Sequence, residues 1–124
     1  MKEKFTILIA DRNPHVREFL KREMVTEGYE VRLAENGREV LKLTYQTEAP
    51  DLLILDPDMP DTEVAFILKK LQSRIPVIPV IIHTFISDYA DIEEFFTTAV
   101  FVEKKGNSVE SLKEMVSDIL NKNQ

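Results

Sequence analysis

Two short runs of this sequence, LLIL at residues 52–55 and VII at residues 80–82, are apolar at every position. A strand with one face in solvent alternates apolar and polar residues, whereas a run without alternation is typical of a strand that is covered on both faces in a parallel sheet. Parallel neighbours need a crossover connection, which is usually a helix. The two runs therefore predict a parallel sheet with helices on both sides.

Segments of strand length recur along the chain and are separated by segments with helical spacing. The predicted strands are residues 5–10, 29–34, 51–55, 79–82 and 99–102. Strand and helix then alternate five times, which predicts a doubly wound α/β domain with right-handed crossovers. In such domains, ligands bind outside the carboxyl ends of the strands.

The predicted helices are marked by apolar stripes and by residues that favour helix ends. Asn13 and Pro14 predict the start of the first helix, and Gly28 its end. A fourth helix is predicted to start near Ser87 or Asp88. Two further pairs have the spacing of capping boxes, namely Asn36 with Glu39 and Asn107 with Glu110. The apolar stripes are Val16, Phe19, Leu20 and Met24; Val40, Leu41 and Tyr45; Val64, Ile67, Leu68 and Leu71; Ile92, Phe95, Phe96 and Ala99; and Val109, Leu112, Val116 and Leu120.

The composition fits one globular domain, and we expect residues 1–124 to form it. Hydrophobic residues make up 44% and charged residues 31%, and the net charge of −6 argues against direct nucleic-acid binding, which usually needs a basic face. There are no cysteines, which excludes thiolate chemistry. No signal-peptide pattern and no apolar run near the roughly 20 residues of a membrane span is present, so we expect a cytoplasmic protein without membrane insertion.

Polar residues follow four of the predicted strands at their carboxyl ends: Asp11, Asp56, Thr84 and Lys104. Asp11 and Asp56 are suited to a hard cation such as Mg²⁺, and Asp56 is also suited to act as a carboxylate nucleophile that forms an aspartyl phosphate. The metal and Lys104 would neutralise phosphoryl charge, and the Thr84 hydroxyl would donate to a phosphoryl oxygen. Together the four residues predict phosphoryl transfer onto an aspartate.

The segments DLLILDPDMP (51–60), VIIHT (80–84) and FVEKK (101–105) resemble the receiver domain of two-component response regulators, in its single-domain, CheY-like form. The resemblance covers essentially all 124 residues. It implies a (βα)5 flavodoxin-like fold with a five-stranded parallel sheet in the order 2-1-3-4-5. It also implies a signalling domain with at most self-phosphorylation and self-dephosphorylation, and no turnover of an external substrate.

The resemblance implies roles for individual residues and for partners. Asp56 matches the phosphoacceptor, Thr84 the switch hydroxyl, Phe101 the switch aromatic and Lys104 the lysine after the fifth strand. The implied Mg²⁺ ligands are Asp11, Asp56 and the backbone carbonyl of Asp58. A histidine kinase or phosphotransfer protein would donate the phosphoryl group. The signal would pass to a downstream protein through the face of the fourth helix, the fifth strand and the fifth helix, in a monomer or weak homodimer.

Arg12 is the main departure from the family pattern, because the family usually has a second acid there that contacts the metal. Three alternatives are open from the sequence. Asp11 rotates inward to bind the metal; or the Arg12 guanidinium lies near Asp56 as a built-in counterion that opposes a divalent ion; or Arg12 points into solvent. Phe85, in place of a small residue, is expected to narrow access to Asp56.

Two competing functions follow from these residues. One is a phosphorylation-independent pseudo-receiver, a protein-binding module in which Arg12 supplies the positive charge permanently and Mg²⁺ affinity is negligible. The other is a hydrolase, because LLILDPDMPDT loosely resembles the DxD motif of haloacid-dehalogenase-like phosphatases, with Asp56 as nucleophile and Asp58 as acid/base. Pro60 stands where that motif has threonine or valine, and the motif is on the third strand here, which disfavours the hydrolase.

Overall fold

The computed structural model describes residues 4–85 and 99–122, which form five strands and four helices. The strands are β1 (Thr6–Ala10), β2 (Glu30–Ala34), β3 (Leu52–Leu55), β4 (Val80–Thr84) and β5 (Ala99–Glu103). The helices are α1 (Pro14–Thr26), α2 (Gly37–Thr44), α3 (Val64–Gln72) and α4 (Ser108–Lys122). The helix predicted near Ser87, with Ile92, Phe95 and Phe96, lies outside the described residues. None of the described helices is long and apolar enough to cross a membrane.

All neighbouring strands are parallel and follow the order β2-β1-β3-β4-β5. This confirms the predicted doubly wound, flavodoxin-like sheet and its strand order. Because the strands are parallel, the residues that follow β1, β3, β4 and β5 reach the same edge of the sheet. Asp11, Asp56 and Lys104 are such residues, and Thr84 is the last residue of β4.

The core has two apolar clusters, one on each face of the sheet. Alternate strand residues such as Leu8, Leu53 and Ile82 pack with α2 and α3, and the intervening residues Ile7 and Ile54 pack with α1 and α4. All four residues of β3 are buried. The apolar runs that predicted a sheet covered on both faces are therefore confirmed.

Both ends of α1 follow the predicted pattern. The Asn13 side chain accepts hydrogen bonds from the backbone N–H groups of His15 (2.9 Å) and Val16 (3.4 Å), and Pro14 is the first helical residue. Gly28 has φ +96°, a left-handed conformation that a residue with a Cβ adopts only at a cost, and the helix has ended at Thr26.

The capping box predicted for α2 is only half formed. Asn36 Oδ1 accepts from the Glu39 N–H at 2.9 Å, but the Glu39 carboxylate accepts from the Glu35 N–H at 2.8 Å and not from that of Asn36. Two of the predicted apolar-stripe residues lie outside the core: Phe19 is beside the exposed Arg22 guanidinium, and Tyr45 follows the end of α2. The side chains of both residues are exposed, so they do not contribute to the core.

The start of α2 is fixed to the loop that follows β3. The Asp61 carboxylate accepts hydrogen bonds from the N–H groups of Gly37 (2.7 Å) and Arg38 (3.1 Å), so a residue of the loop caps a helix from another part of the chain. The loop approaches so closely that a Cβ built on Gly37 would lie 2.5 Å from both the Cβ and the Oγ1 of Thr62. Glycine at position 37 therefore permits this contact.

We expect Gly37→Ala to lower the free energy of unfolding by about 1–2 kcal/mol, since the overlap with Thr62 outweighs the higher helix propensity of alanine. Gly106→Ala is the matched control, because a Cβ there has no atom within 4 Å and the backbone is not left-handed. Urea denaturation of the two variants measures the difference. Equal stabilities would show that Thr62 moves aside without cost.

Candidate functional site

Backbone hydrogen bonds hold the four predicted strand-end residues at one edge of the sheet. The Asp11 N–H donates to the Ala34 carbonyl at 3.2 Å, and the Asp56 N–H donates to the Ala10 carbonyl at 2.8 Å. The Lys104 N–H donates to the Thr84 carbonyl at 2.7 Å. These bonds extend the strand pairing by one residue, so each side chain leaves the sheet from a fixed position.

Asp11 and Asp56 are the two buried carboxylates of this edge, with only 2% and 3% of their surface exposed. Lys104 lies between them: its Nζ is 3.0 Å from Asp11 Oδ2 and 3.8 Å from Asp56 Oδ2. One ammonium thus neutralises only part of the charge of two acids. When both acids are ionised, the three groups together carry a net negative charge. Such a site attracts a cation, and it provides an ammonium for an incoming phosphoryl group.

Main-chain amides orient both carboxylates. The Asn13 N–H donates to Asp11 Oδ1 at 2.9 Å, and the Asp58 N–H donates to Asp56 Oδ1 at 3.0 Å. A longer contact of 3.4 Å joins the Arg12 N–H to Asp56 Oδ2. The direction of the Asp56 carboxylate is therefore set mainly by the backbone on either side of it.

Burial raises the pKa of Asp56 above its ordinary value, and the negative charge of Asp11 raises it further. Hydrogen bonds from the Asp58 and Arg12 amides and the charge of Lys104 act in the opposite direction without cancelling the rise. A carboxylate with a raised pKa binds protons and other electrophiles more readily than an exposed one. This property suits a nucleophile.

The Arg12 side chain lies against the acidic residues of the site and remains 59% exposed. Its Nη1 is 2.8 Å from Asp58 Oδ2, and its Nε is 4.0 Å from Asp56 Oδ2. Of the three arrangements open from the sequence, the structure has the guanidinium near Asp56, with Asp58 as its closer partner. The Asp58 carboxylate is occupied by this ion pair.

Thr84 and Phe101 lie on the same face of the sheet. Phe101 is in register with Ile82 of β4, and Thr84 is two residues beyond Ile82, so the side chains of Ile82 and Thr84 point to the same side. Thr84 is buried, and Phe101 is partly buried against the cluster that contains Ile82. Phe85, by contrast, is exposed, and its ring centroid lies 5.9 Å from the Lys104 ammonium.

The sequence of this chain matches the model of the response regulator receiver domain over residues 7–122. The chain belongs to this family. The match includes all the elements described above except Thr6, the first residue of β1, and it spans all the residues of the candidate site.

Relatives of this receiver are found among longer proteins. The response regulator MprA of Mycolicibacterium vanbaalenii is 36% identical over 78 residues, which are 63% of this chain and 33% of that protein. The DNA-binding transcriptional regulator NtrC of Proteus hauseri is 35% identical over 86 residues, which are 69% of this chain and 18% of that protein. The receiver therefore spans about a third or less of the length of these curated relatives.

Solved structures share the fold over nearly the whole receiver. The response regulator TrrA of Thermotoga maritima, in complex with Mg²⁺-BeF, has a TM-score of 0.80 and 32% identity, and the match covers 92% of this chain and 97% of that chain. The chemotaxis response regulator CheY4 of Vibrio cholerae has a TM-score of 0.77 and 23% identity, with 94% and 98% of the two chains covered. The second similarity supports the CheY-like fold.

The donor set of the receiver fits Mg²⁺ in part. Two buried carboxylates, Asp11 and Asp56, offer the oxygen ligands that this ion prefers, and Asp58 follows Asp56 by two residues. Within residues 4–85 and 99–122, however, no three acidic or histidine side chains are grouped as a metal site. Arg12 follows Asp11 directly, at the position where the resemblance implies a second acid. Since its guanidinium is exposed and held by Asp58, the two buried carboxylates remain suited to the ion.

Several residues that shape the site were not singled out by sequence reasoning. Arg17 donates from Nη1 to the Asp11 carbonyl at 2.6 Å, and so braces the turn after β1. Sequence reasoning gave His83 no role in the chemistry of the site; its side chain is buried, and its Nε2 lies 3.1 Å from Ser108 Oγ. Asp61 fixes the loop that carries Asp58. Only Asp61 had a sequence signal, since an aspartate in a proline-rich loop is a common capping residue, but its partner lies 24 residues away.

We expect Asp56→Asn to raise the stability of the receiver. The raised pKa of Asp56 means that the folded state favours the neutral form of this group, so an uncharged side chain of the same shape removes an unfavourable charge at neutral pH. A rise of a few degrees in Tm is expected, since about 1 kcal/mol shifts the Tm of a domain of this size by about 4 °C. Thermal denaturation at low ionic strength measures it.

The matched control for this change is Asp118→Asn, an exposed aspartate on α4. Its replacement is expected to leave the stability within about 0.5 kcal/mol. A lower Tm for Asp56→Asn than for Asp118→Asn would mean that the amide bonds to Asp56 stabilise the folded receiver more than its burial destabilises it.

Proposed function

We propose that this receiver accepts a phosphoryl group on Asp56 from a histidine kinase or phosphotransfer protein in the cytoplasm, and that phosphorylation switches its protein–protein interactions. The observation that carries the proposal is the environment of Asp56. A buried carboxylate with a raised pKa lies 3.8 Å from the Lys104 ammonium and is oriented by the Asp58 amide. Nucleophile, orienting group and counter-charge are thus present together.

In the proposed reaction, a carboxylate oxygen of ionised Asp56 attacks the phosphorus of a phosphohistidine. The new O–P bond forms as the P–N bond breaks, and the imidazole leaves with the electron pair of that bond and is protonated by solvent. Lys104 neutralises charge on the transferred group. The buried Thr84 hydroxyl, on the next strand of the sheet, is placed to donate to a phosphoryl oxygen.

We propose that the receiver binds Mg²⁺, with an affinity that Arg12 and Lys104 reduce. Asp11, Asp56 and the Asp58 carbonyl would hold the ion, which, when bound, would neutralise phosphoryl oxygens and fix their direction. Arg12 opposes the ion by its charge, and Lys104 already occupies Asp11 Oδ2. TrrA, a similar response regulator, is in complex with Mg²⁺-BeF, which supports the binding of Mg²⁺ by this receiver.

The signal would leave the receiver through the surface next to Thr84. Phosphorylation would draw the Thr84 hydroxyl toward the phosphoryl group, and Phe101 would move into the space that is vacated. These two residues share one sheet face, which supports their coupling. The surface formed by the predicted fourth helix, β5 and α4 would then present a different shape to a downstream protein or to a second copy.

Arg12 favours a second candidate function, a pseudo-receiver that binds partners without phosphorylation. The guanidinium already pairs with Asp58 at 2.8 Å and lies 4.0 Å from Asp56, so part of the charge compensation that a metal and a phosphoryl group would bring is built in. In that case the site would have a constant charge, and Mg²⁺ would have no measurable affinity.

Intact mass spectrometry after incubation with phosphoramidate tests the two functions. We expect one phosphoryl adduct on the wild type in the presence of Mg²⁺ and none on Asp56→Asn. Asp118→Asn is the matched control and is expected to be labelled like the wild type. If the wild type gains no adduct under any condition, the pseudo-receiver is favoured, and Arg12→Asp is the variant with which to restore phosphorylation.

A further inference from the structure

We infer that Arg12 is a phosphoryl-binding residue: its guanidinium is held by Asp58 before phosphorylation and moves to the phosphoryl oxygens once Asp56 is modified. The inference rests on the proposed function, since it concerns the same site. Arg12, which replaces an acid of the family pattern, thereby takes part in the reaction. Its positive charge makes phosphorylation less dependent on a divalent cation.

The backbone brings Arg12 to the reacting group. Its N–H contacts Asp56 Oδ2 at 3.4 Å, so its Cα is fixed beside the acceptor whatever the side chain does. The Nε atom is 4.0 Å from the same oxygen, which also lies 3.8 Å from Lys104 Nζ. Two cationic side chains therefore face Asp56 Oδ2.

The ion pair between Arg12 and Asp58 is weak enough for the guanidinium to exchange Asp58 for another anion. The Arg12–Asp58 ion pair is short, but 59% of the Arg12 side chain and 49% of the Asp58 side chain are exposed. Exposed pairs of this kind contribute little to stability, because water solvates both charges and screening is strong. The guanidinium can thus leave Asp58 without uncovering a buried charge.

Phosphorylation of Asp56 creates a partner that binds the Arg12 guanidinium more strongly than Asp58 does. The carboxylate of Asp56 carries one negative charge, whereas a phosphoryl group brings a charge of roughly −1.5 to −2 and three acceptor oxygens at the same place. The planar guanidinium matches phosphate oxygens with two parallel hydrogen bonds, which the single short contact with Asp58 does not provide. The phosphoryl group is therefore the better partner for Arg12.

The test compares the wild type, Arg12→Gln and Arg12→Lys, each labelled with phosphoramidate in Mg²⁺ or in chelator and followed by intact mass. In chelator, Arg12→Gln is expected to be labelled about tenfold more slowly than the wild type, with Arg12→Lys between them, since it keeps the charge and loses the planar fork. Asp58→Asn is expected to be labelled faster than the wild type, because Arg12 loses its resting partner. Arg38→Gln, an exposed arginine on α2, is the matched control.

A second measurement does not depend on phosphorylation. Isothermal titration of the unphosphorylated chain with MgCl₂ is expected to give a Kd about tenfold lower for Arg12→Gln than for the wild type, since a positive charge beside the carboxylates is removed. Arg38→Gln is expected to match the wild type.

The outcomes separate this inference from the proposed function. If the wild type is labelled in Mg²⁺ but Arg12→Gln equals it in chelator, Asp56 is a phosphoacceptor and Arg12 takes no part, so the inference is overturned alone. If the wild type is not labelled at all, both are overturned. Slower labelling of Arg12→Gln in chelator, together with its tighter Mg²⁺ binding, supports the inference.

Discussion

Replacing Lys104 by methionine is expected to lower the free energy of unfolding by about 3 kcal/mol, the usual result when one partner of a buried ion pair is removed. Lys104 Nζ is 3.0 Å from Asp11 Oδ2 and 3.8 Å from Asp56 Oδ2, and both carboxylates are almost fully buried. Methionine fills similar space but leaves two acids without a buried cation. Adduct formation on Asp56 is expected to fall at the same time, because the ammonium no longer neutralises the phosphoryl group.

Lys105→Met is the matched control for this change. Lys105 is exposed and its contact with Glu103 is 3.9 Å long, so its loss is expected to change the stability by less than about 0.5 kcal/mol. Urea denaturation measures both variants. The double variant with Asp11→Asn is expected to recover much of the lost stability, because it removes one of the unpaired acids. A loss for Lys104→Met as small as that for Lys105→Met would contradict the ion-pair account.

Acidification is expected to destabilise the receiver through His83. Burial, with a smaller contribution from the charge of Lys104, lowers the pKa of His83 from 6.5 to about 4, and the charge of Asp56 opposes this only in part. Between these two values the unfolded chain binds a proton that folded His83 does not, so stability falls as the pH decreases from about 6.5 toward about 4. From about pH 7 to about pH 5 the loss is expected to be about 2 kcal/mol.

The change in stability between these two pH values is compared for the wild type and for His83→Gln. Asp56 acts in the opposite direction, since its raised pKa favours the folded state in acid, so the difference between the two proteins isolates the histidine. His15→Gln is the matched control, because His15 is exposed on α1. If His83→Gln and His15→Gln lose stability equally on acidification, His83 is protonated in the folded state.

The fold was predictable because its signals are local. The strands found lie within two residues of the predicted ends, since each apolar run stops where the chain leaves the sheet. Asn13, Pro14 and Gly28 marked both ends of α1 by their own backbone preferences. The rule that ligands bind at the carboxyl ends of parallel strands then predicted that Asp11, Asp56 and Lys104 lie at one edge of the sheet.

The contacts that the sequence did not predict depend on long side chains or on distant parts of the chain. Arg12 has several rotatable bonds and an exposed end, so its pairing with Asp58 follows from the local arrangement of charges. Asp61 caps a helix that begins 24 residues earlier, and Arg17 reaches back from α1 to a carbonyl. Such bonds become visible only once the elements are packed.

The orientation of Asp56 by main-chain amides has a consequence for how such a domain diversifies. An N–H group is present at positions 12 and 58 whatever side chain is found there, provided that it is not proline. Substitution at either position can therefore change the charge near the acceptor without changing the direction of its carboxylate. The backbone keeps the direction of the Asp56 carboxylate constant. During evolution, the neighbouring side chains can change the ion that the site requires and the lifetime of the aspartyl phosphate.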